Sequence, residues 1–213
     1  FHQMVHQYLL GIPEELLRPL ITQPEGLQWW EQFIKLNPLA GLPDQVRLPE
    51  YRLTAPSHGF RMVAQYDLVC VNPGEKAVIV DWKTSRHRSK KGWRERLQTR
   101  VYLFLLAEAG MRLNHNQPWQ PEQIEMLYWF PAFPHEPERI PYSVARHQAD
   151  LEFLAGLMDR ILSTPDGSFE KTADEKRCLY CPYRSLCERG DAAGNFFEEP
   201  SSSSGDLLDL NLD

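Results

Sequence analysis

The chain has 213 residues, 42% of them apolar and 24% charged, which suits one domain with a substantial core. The net charge of -6 excludes a uniformly basic binder of polyanions, and no apolar run is long enough to span a membrane or act as a signal peptide. Four cysteines, three of them close together near the C-terminus, in a chain that otherwise reads as cytoplasmic, favour a metal or cluster site over a disulfide framework.

The chain begins at Phe1 inside a predicted helix, without methionine, and reads as a fragment. Residues Phe1 to Leu10 carry Met4, Val5, Tyr8 and Leu9 at helical spacing, and Gly11-Ile12-Pro13 ends the run. His2 and His6 lie four apart on it. One or two further helices are predicted over 13–36, with Trp29, Trp30, Phe33 and Ile34 as a core stripe. A first strand is expected over 45–53, where Glu50 reads as an ordinary surface acid, with an approach to a metal site as the alternative.

Two strand-like runs follow. Arg61 to Val71 carries Asp67, and Ala77 to Thr84 ends in Asp81-Trp82-Lys83, with the turn Asn72-Pro73-Gly74 between them. Strand alternation puts Asp81 and Lys83 on one face and groups Val63, Gln65 and Val69 on another strand face with Asp67, leaving Cys70 opposite as a core thiol. A helix is predicted from Gly92 to Ala109, stacking Arg94, Gln98 and Tyr102 at four-residue steps. Strands over 123–130 and 139–144 and an amphipathic helix over 146–162 complete the ordered part.

Charge is unevenly spread. From Glu188 onward there are seven acids and one arginine, which leaves the first 187 residues with 22 charges of each sign. Within them, Arg86 to Arg100 holds seven basic residues and one acid. A phosphate backbone would pass over such a block, and it follows directly after Lys83. The stretch from 189 to 213 is rich in Gly, Ser and acids, and it predicts a disordered acidic tail. It ends in DLLDLNLD, which intersperses acids and leucines as a solvated tail or a short docking motif would. The domain is therefore expected over 1–188.

An acid and a lysine at the end of a buried strand are costly unless paired or bound to metal. Two carboxylates from adjacent strands can hold a hard divalent cation through oxygen. Such a cation lowers the pKa of water and stabilises charge on a phosphate, and a lysine can orient or deprotonate the water. The cysteine spacing Cys178-x2-Cys181-x5-Cys187 suits zinc or an iron–sulfur cluster, and three reduced thiols are the bland reading.

The ordered set Asp67, turn, apolar strand, Asp81-x-Lys83, basic loop and Gln98-x-x-x-Tyr102 resembles the PD-(D/E)XK nuclease superfamily. The likeness is to its RecB-like branch, which includes the CRISPR-associated RecB-like exonucleases. It implies an α/β fold with a restriction-endonuclease-like core, a mixed central sheet flanked by helices. It implies a metal-dependent DNA nuclease acting on single strands or ends, with Mg2+ or Mn2+ as cofactor and a role in recombination, repair or defence. Asp67, Asp81 and Lys83 take the catalytic positions; His2, Asp67, Asp81 and the Trp82 carbonyl take the metal positions. Arg94, Gln98 and Tyr102, with Arg86, Arg88, Lys90 and Lys91, take the DNA-binding positions. The three cysteines match the C-terminal ligands of a [4Fe-4S] cluster whose fourth cysteine lies upstream, outside this chain, so the cluster is expected in the full-length parent. A helicase or recombination protein is the implied partner, and an inactive nuclease-like module that binds DNA or such a partner is the alternative.

Overall fold

A computed structural model describes residues 1–57, 59–85, 92–165, 167–168, 170–179 and 181–190. Three N-terminal helices, α1 (His2–Leu9), α2 (Glu14–Leu17) and α3 (Pro24–Leu36), lead into a long hairpin of β1 (Val46–Ser57) and β2 (Phe60–Asn72). The strand β3 (Lys76–Trp82) follows, then α4 (Leu97–Ala109), β4 (Ile124–Trp129), β5 (Glu138–Pro141) and α5 (Val144–Ser163). The five strands lie in sequence order, β1-β2-β3-β4-β5. Only β3 and β4 run parallel, so the connection between them must cross over, and α4 lies within that crossover. This is the mixed sheet flanked by helices that the sequence leads one to expect. Among the described residues no helix is long and apolar enough to cross a membrane.

The sheet is buried on both faces, which explains the unbroken apolar run Ala77 to Val80. Leu68, Cys70, Val78, Val80, Leu127 and Trp129 pack with Val5, Leu17, Trp30 and Phe33 from the N-terminal helices. Val69, Val71, Ile79, Met126 and Tyr128 pack on the other face with Leu103, Leu105 and Leu106 of α4. Burial pushes the Cys70 thiol up to about 11, which keeps it a neutral core group.

The alternation expected around Asp67 is corrected. Ala64 and Tyr66 lie in the α4-side core, yet so do Val69 and Val71, whereas Val63 is 47% exposed. The side-chain pattern therefore slips by one residue at Asp67. Pairing runs through Pro49 with Leu68 and Tyr51 with Tyr66, which leaves Glu50 and Asp67 facing each other outside the ladder. Glu50 has a left-handed backbone, with φ 50°. A strand that passes through that conformation turns its following side chains to the other face. Strict period-two reading cannot anticipate such a slip.

Two other boundaries differ from expectation. The helix expected from Gly92 is broken: a 3-10 turn spans Trp93–Glu95, Arg96 is extended, and α4 starts at Leu97. Arg94 is therefore not on the helical face of Gln98 and Tyr102. Ser143 caps α5 by accepting from the Arg146 amide at 3.2 Å, and this cuts β5 short of Val144. The tail beyond Gly190 lies outside the described residues.

The slip at Glu50 yields a stability test. A left-handed backbone costs an ordinary residue roughly 1–2 kcal/mol, and glycine little. A β-branched residue is worse again by about 1 kcal/mol, so Glu50→Val should lower Tm by about 2–4 °C while Glu50→Gly matches or exceeds the unmutated protein. Thermal denaturation of the two variants reads this directly. Equal Tm values would mean that Glu50 does not adopt the left-handed conformation in solution.

Candidate active site

The ladder between β2 and β3 ends at Leu68 opposite Val80. One step further the register brings Asp67 level with Asp81, and Asp81 is in turn paired with Tyr128 of β4. Glu50, Asp67, Asp81 and Tyr128 thus form a row across four strands. Where β2 and β3 part, the Trp82 amide loses its ladder acceptor. It donates instead to Asp67 Oδ2 at 2.7 Å. The Trp82 carbonyl accepts from His2 Nε2 at 2.7 Å, and His2 Nε2 lies 3.5 Å from Asp67 Oδ2. The first helix therefore delivers its histidine to the same point as the carboxylate and the carbonyl.

Asp81 is almost wholly buried. Gln98, in the first turn of α4, donates from Nε2 to Asp81 Oδ2 at 2.9 Å and accepts from Lys83 Nζ at 2.9 Å. Lys83 Nζ also stands 2.7 Å from Asp81 Oδ1 and 5.4 Å from the centre of the Tyr128 ring. The contact with Oδ1 is ionic but lacks hydrogen-bond alignment, so that buried oxygen is without a hydrogen bond. The Lys83 amide meets the Trp129 carbonyl at 3.0 Å, which continues the parallel ladder just past β3 and fixes where the lysine leaves the sheet.

Tyr102 is engaged with protein. Its hydroxyl donates to the Gln65 carbonyl at 2.6 Å, while the Tyr66 hydroxyl donates to the Tyr102 carbonyl at 3.1 Å. This reciprocal pair bolts α4 to β2 beside Asp67. Arg94 is exposed on the 3-10 turn, apart from these groups. Arg86, Arg88, Lys90 and Lys91 lie outside the described residues. Glu50 is nearer the site than a surface reading suggests: it faces Asp67 in the row and accepts from Gln65 Nε2 at 2.8 Å. A lone glutamate next to a proline reads first as a surface acid, and placement beside the site is the less favoured alternative. Tyr128 was equally hidden, because an aromatic in an apolar strand reads as core.

The electrostatics follow from the burial. Desolvation, then the charge of Asp81, raises Asp67 to about 7, against the opposing hydrogen bond from the Trp82 amide. Burial lowers the pKa of His2, which favours the neutral imidazole. Two carboxylates held this close resist ionising together in the absence of a counter-charge. Among the described residues no three His, Cys, Asp or Glu side chains already converge as a metal cluster. The donor set nevertheless fits a divalent cation. His2 lies against both Asp67 and the Trp82 carbonyl, and Asp81, level with Asp67, adds a second, buried carboxylate.

The cysteines are a different case. Cys178 is buried, Cys181 and Cys187 are half-buried, and all three are free thiols. Cys178 Sγ accepts from Arg189 Nη1 at 3.4 Å. Three thiols fall one short of the four that a [4Fe-4S] cluster takes, and Cys70 is enclosed in the core beneath the N-terminal helices. The residues of this chain do not by themselves complete the cluster.

The sheet order and the row of acids beside Lys83 agree with what the sequence comparison finds. The family model for the PD-(D/E)XK nuclease superfamily matches residues 6–188, and the chain belongs to that superfamily. His2 lies just before the matched span. Among solved structures, the chain is similar to SSO0001, with 18% identity and a TM-score of 0.41 over 87% of this chain and 80% of that one. It is also similar to a Eubacterium rectale protein described as a candidate exonuclease, with 15% identity and a TM-score of 0.48 over 99% of this chain and 77% of that one. No curated protein matches the chain.

The raised Asp67 gives a pH test with a definite sign. Its folded pKa lies above the ordinary value, so the folded state holds a proton that the unfolded chain releases. Stability from this group is full at low pH and is lost as pH rises from about 4 to about 7. In metal-free buffer, Asp67→Asn should gain Tm over the unmutated protein at pH 8 and show little gain at pH 4. Adding Mn2+ at pH 8 should raise the Tm of the unmutated protein and leave Asp67→Asn nearly unmoved. Parallel Tm curves for the two proteins across pH would contradict the buried acid pair.

Proposed function

We propose that the chain is a divalent-metal-dependent deoxyribonuclease of the RecB-like branch, hydrolysing phosphodiester bonds in single-stranded DNA or at DNA ends. The observation that supports it is the meeting of Asp67, Asp81 and Lys83 where β2 and β3 part, with Gln98 bridging the last two. Asp67, Asp81, His2 and the Trp82 carbonyl would hold Mg2+ or Mn2+. When bound, that cation supplies positive charge at the scissile phosphate and lowers the pKa of water.

The remaining work falls to side chains of this chain. Lys83 is half-enclosed, with Nζ between Asp81 and Gln98, placed to orient the attacking water and to move a proton. Gln98 fixes the lysine and the aspartate relative to each other with one planar amide. Its carbonyl takes Lys83 and its NH2 takes Asp81, so neither can turn without breaking a bond. Tyr102 braces α4 on the Gln65 carbonyl and, with Gln98, would help position the strand. Arg94, with Arg86, Arg88, Lys90 and Lys91, contacts phosphates and so aligns the strand. A helicase or recombination protein that delivers single strands is the partner this reading calls for, in recombination, repair or defence.

Turnover on labelled single-stranded DNA with Mn2+ tests the assignment. Lys83→Ala and Asp81→Ala should each lower kcat by roughly 10²–10⁴-fold while DNA still binds. His2→Ala should weaken the response to Mn2+ more than to Mg2+, because imidazole favours the former. Turnover close to the unmutated rate in Lys83→Ala or Asp81→Ala would refute the site. DNA binding without any metal-dependent turnover would identify a non-catalytic module, and preferential cleavage of RNA would reassign the substrate.

A further inference from the structure

We propose that Arg146 of α5 is a positioning residue for the active site: through Glu95 it sets where α4 begins, and so where Gln98 meets Asp81 and Lys83. This rests on the nuclease reading for its kinetic consequence, though not for its geometry.

The amino end of α4 is tied in part by its own sequence: Thr99 Oγ1 donates to the Trp93 carbonyl at 2.5 Å, and the Arg96 guanidinium lies over the buried Trp93 ring. Its N-cap, Arg96, offers no side-chain cap, and no acid stands in the first turn. The far side of the preceding 3-10 turn, at Arg94 and Glu95, is held from outside. Arg146 Nη1 donates to Glu95 Oε1 at 2.8 Å, and Nη2 donates to Glu95 Oε2 and to the Arg94 carbonyl, both at 3.0 Å. This fork grips the side chain and the backbone of the turn at once. Arg100, one turn into α4, closes the ring by binding the Glu95 carboxylate and, through Nη1, Asp150 Oδ1 at 2.8 Å. Asp150 is fully buried and also lies 3.2 Å from Arg146 Nε.

Gln98 stands between two anchors. Three residues before it, Glu95 is tied to α5; four residues after it, Tyr102 is tied to β2. The cluster runs from buried Asp150 to exposed Glu95, and such ion pairs add little net stability, because the charges are either desolvated or screened by water. What such a cluster does supply is a direction. The guanidinium fork allows one placement of the turn, whereas a greasy contact between α4 and α5 would tolerate sliding along the helix.

In the sequence Glu95 and Arg100 fall within a basic block, and Arg146 and Asp150 lie at the start of an amphipathic helix, so nothing local links them. Their meeting requires contacts 50 residues or more apart.

The test is a double-mutant cycle with turnover on single-stranded DNA, read well below Tm. Arg146→Met should lower kcat by about 10–100-fold, the range for groups that orient a site from behind, and leave KM within about twofold. In a Gln98→Ala background the same change should have almost no further effect. Glu95→Ala, at a half-exposed position, approaches the contact from its other side and should reproduce the result if Arg146→Met folds poorly. A loss of equal size in both backgrounds, or no loss at all, overturns the proposal. A second readout needs no activity. The Gln98 side-chain NH2 should exchange slowly in the unmutated protein and become unprotected in Arg146→Met and Glu95→Ala, and unchanged protection in both overturns the positioning role. If the unmutated protein does not cleave, the nuclease reading fails while the amide measurement still decides this one.

Discussion

Two carboxylates stand level with each other inside a sheet, and much of the surrounding structure answers the cost of keeping them there. Asp81 is buried and Asp67 half-buried, and desolvation with the charge of Asp81 discourages Asp67 from ionising. The groups that offset this come from separate places in the chain: the Trp82 amide, the Gln98 carboxamide and the Lys83 ammonium. None of them cancels the pair fully. An uncompensated acid pair at the edge of a parted ladder is a standing attraction for a small, highly charged cation.

The fold creates that point by interrupting its own regularity. A continuous ladder would give the Trp82 amide to a backbone carbonyl and leave Asp67 pointing along an ordinary face. Parting β2 from β3 after Leu68, and slipping the alternation at Glu50 and Asp67, turns a backbone donor and a side-chain acceptor toward each other. Helices then carry in what the strands cannot supply. The first contributes His2, and α4 contributes Gln98 from a position held at both ends.

What could be read in advance follows from the range of each signal. Asp67, Asp81 and Lys83 were visible because charge in an apolar strand is conspicuous, and Gln98 because it shares a helical face with Tyr102. The sheet followed from the turn at Asn72-Pro73-Gly74 and from apolar runs. The broken start of α4 was not legible: Trp93 to Arg96 has acceptable helical composition, and the fork that shapes it comes from α5. Nor was the slip at Glu50, since a glutamate seldom takes a left-handed backbone and nothing local announces it. The face of Tyr102 is legible in the sequence, but the bond from its hydroxyl to the Gln65 carbonyl is not, because it spans two distant elements.

The outer edges of the sheet carry a consequence of their own. β1 is twelve residues long and pairs on one side only, a shape that invites another chain to add a strand. It contains Pro49 and Pro56, each of which removes an amide that a newcomer would need. The opposite edge, β5, is four residues long and closes on Pro141. Extended segments that reach this protein, its own neighbours in a crowded cell included, meet borders that resist templating. The sheet therefore keeps a long, half-open hairpin next to a polar site with borders that disfavour the addition of a further strand.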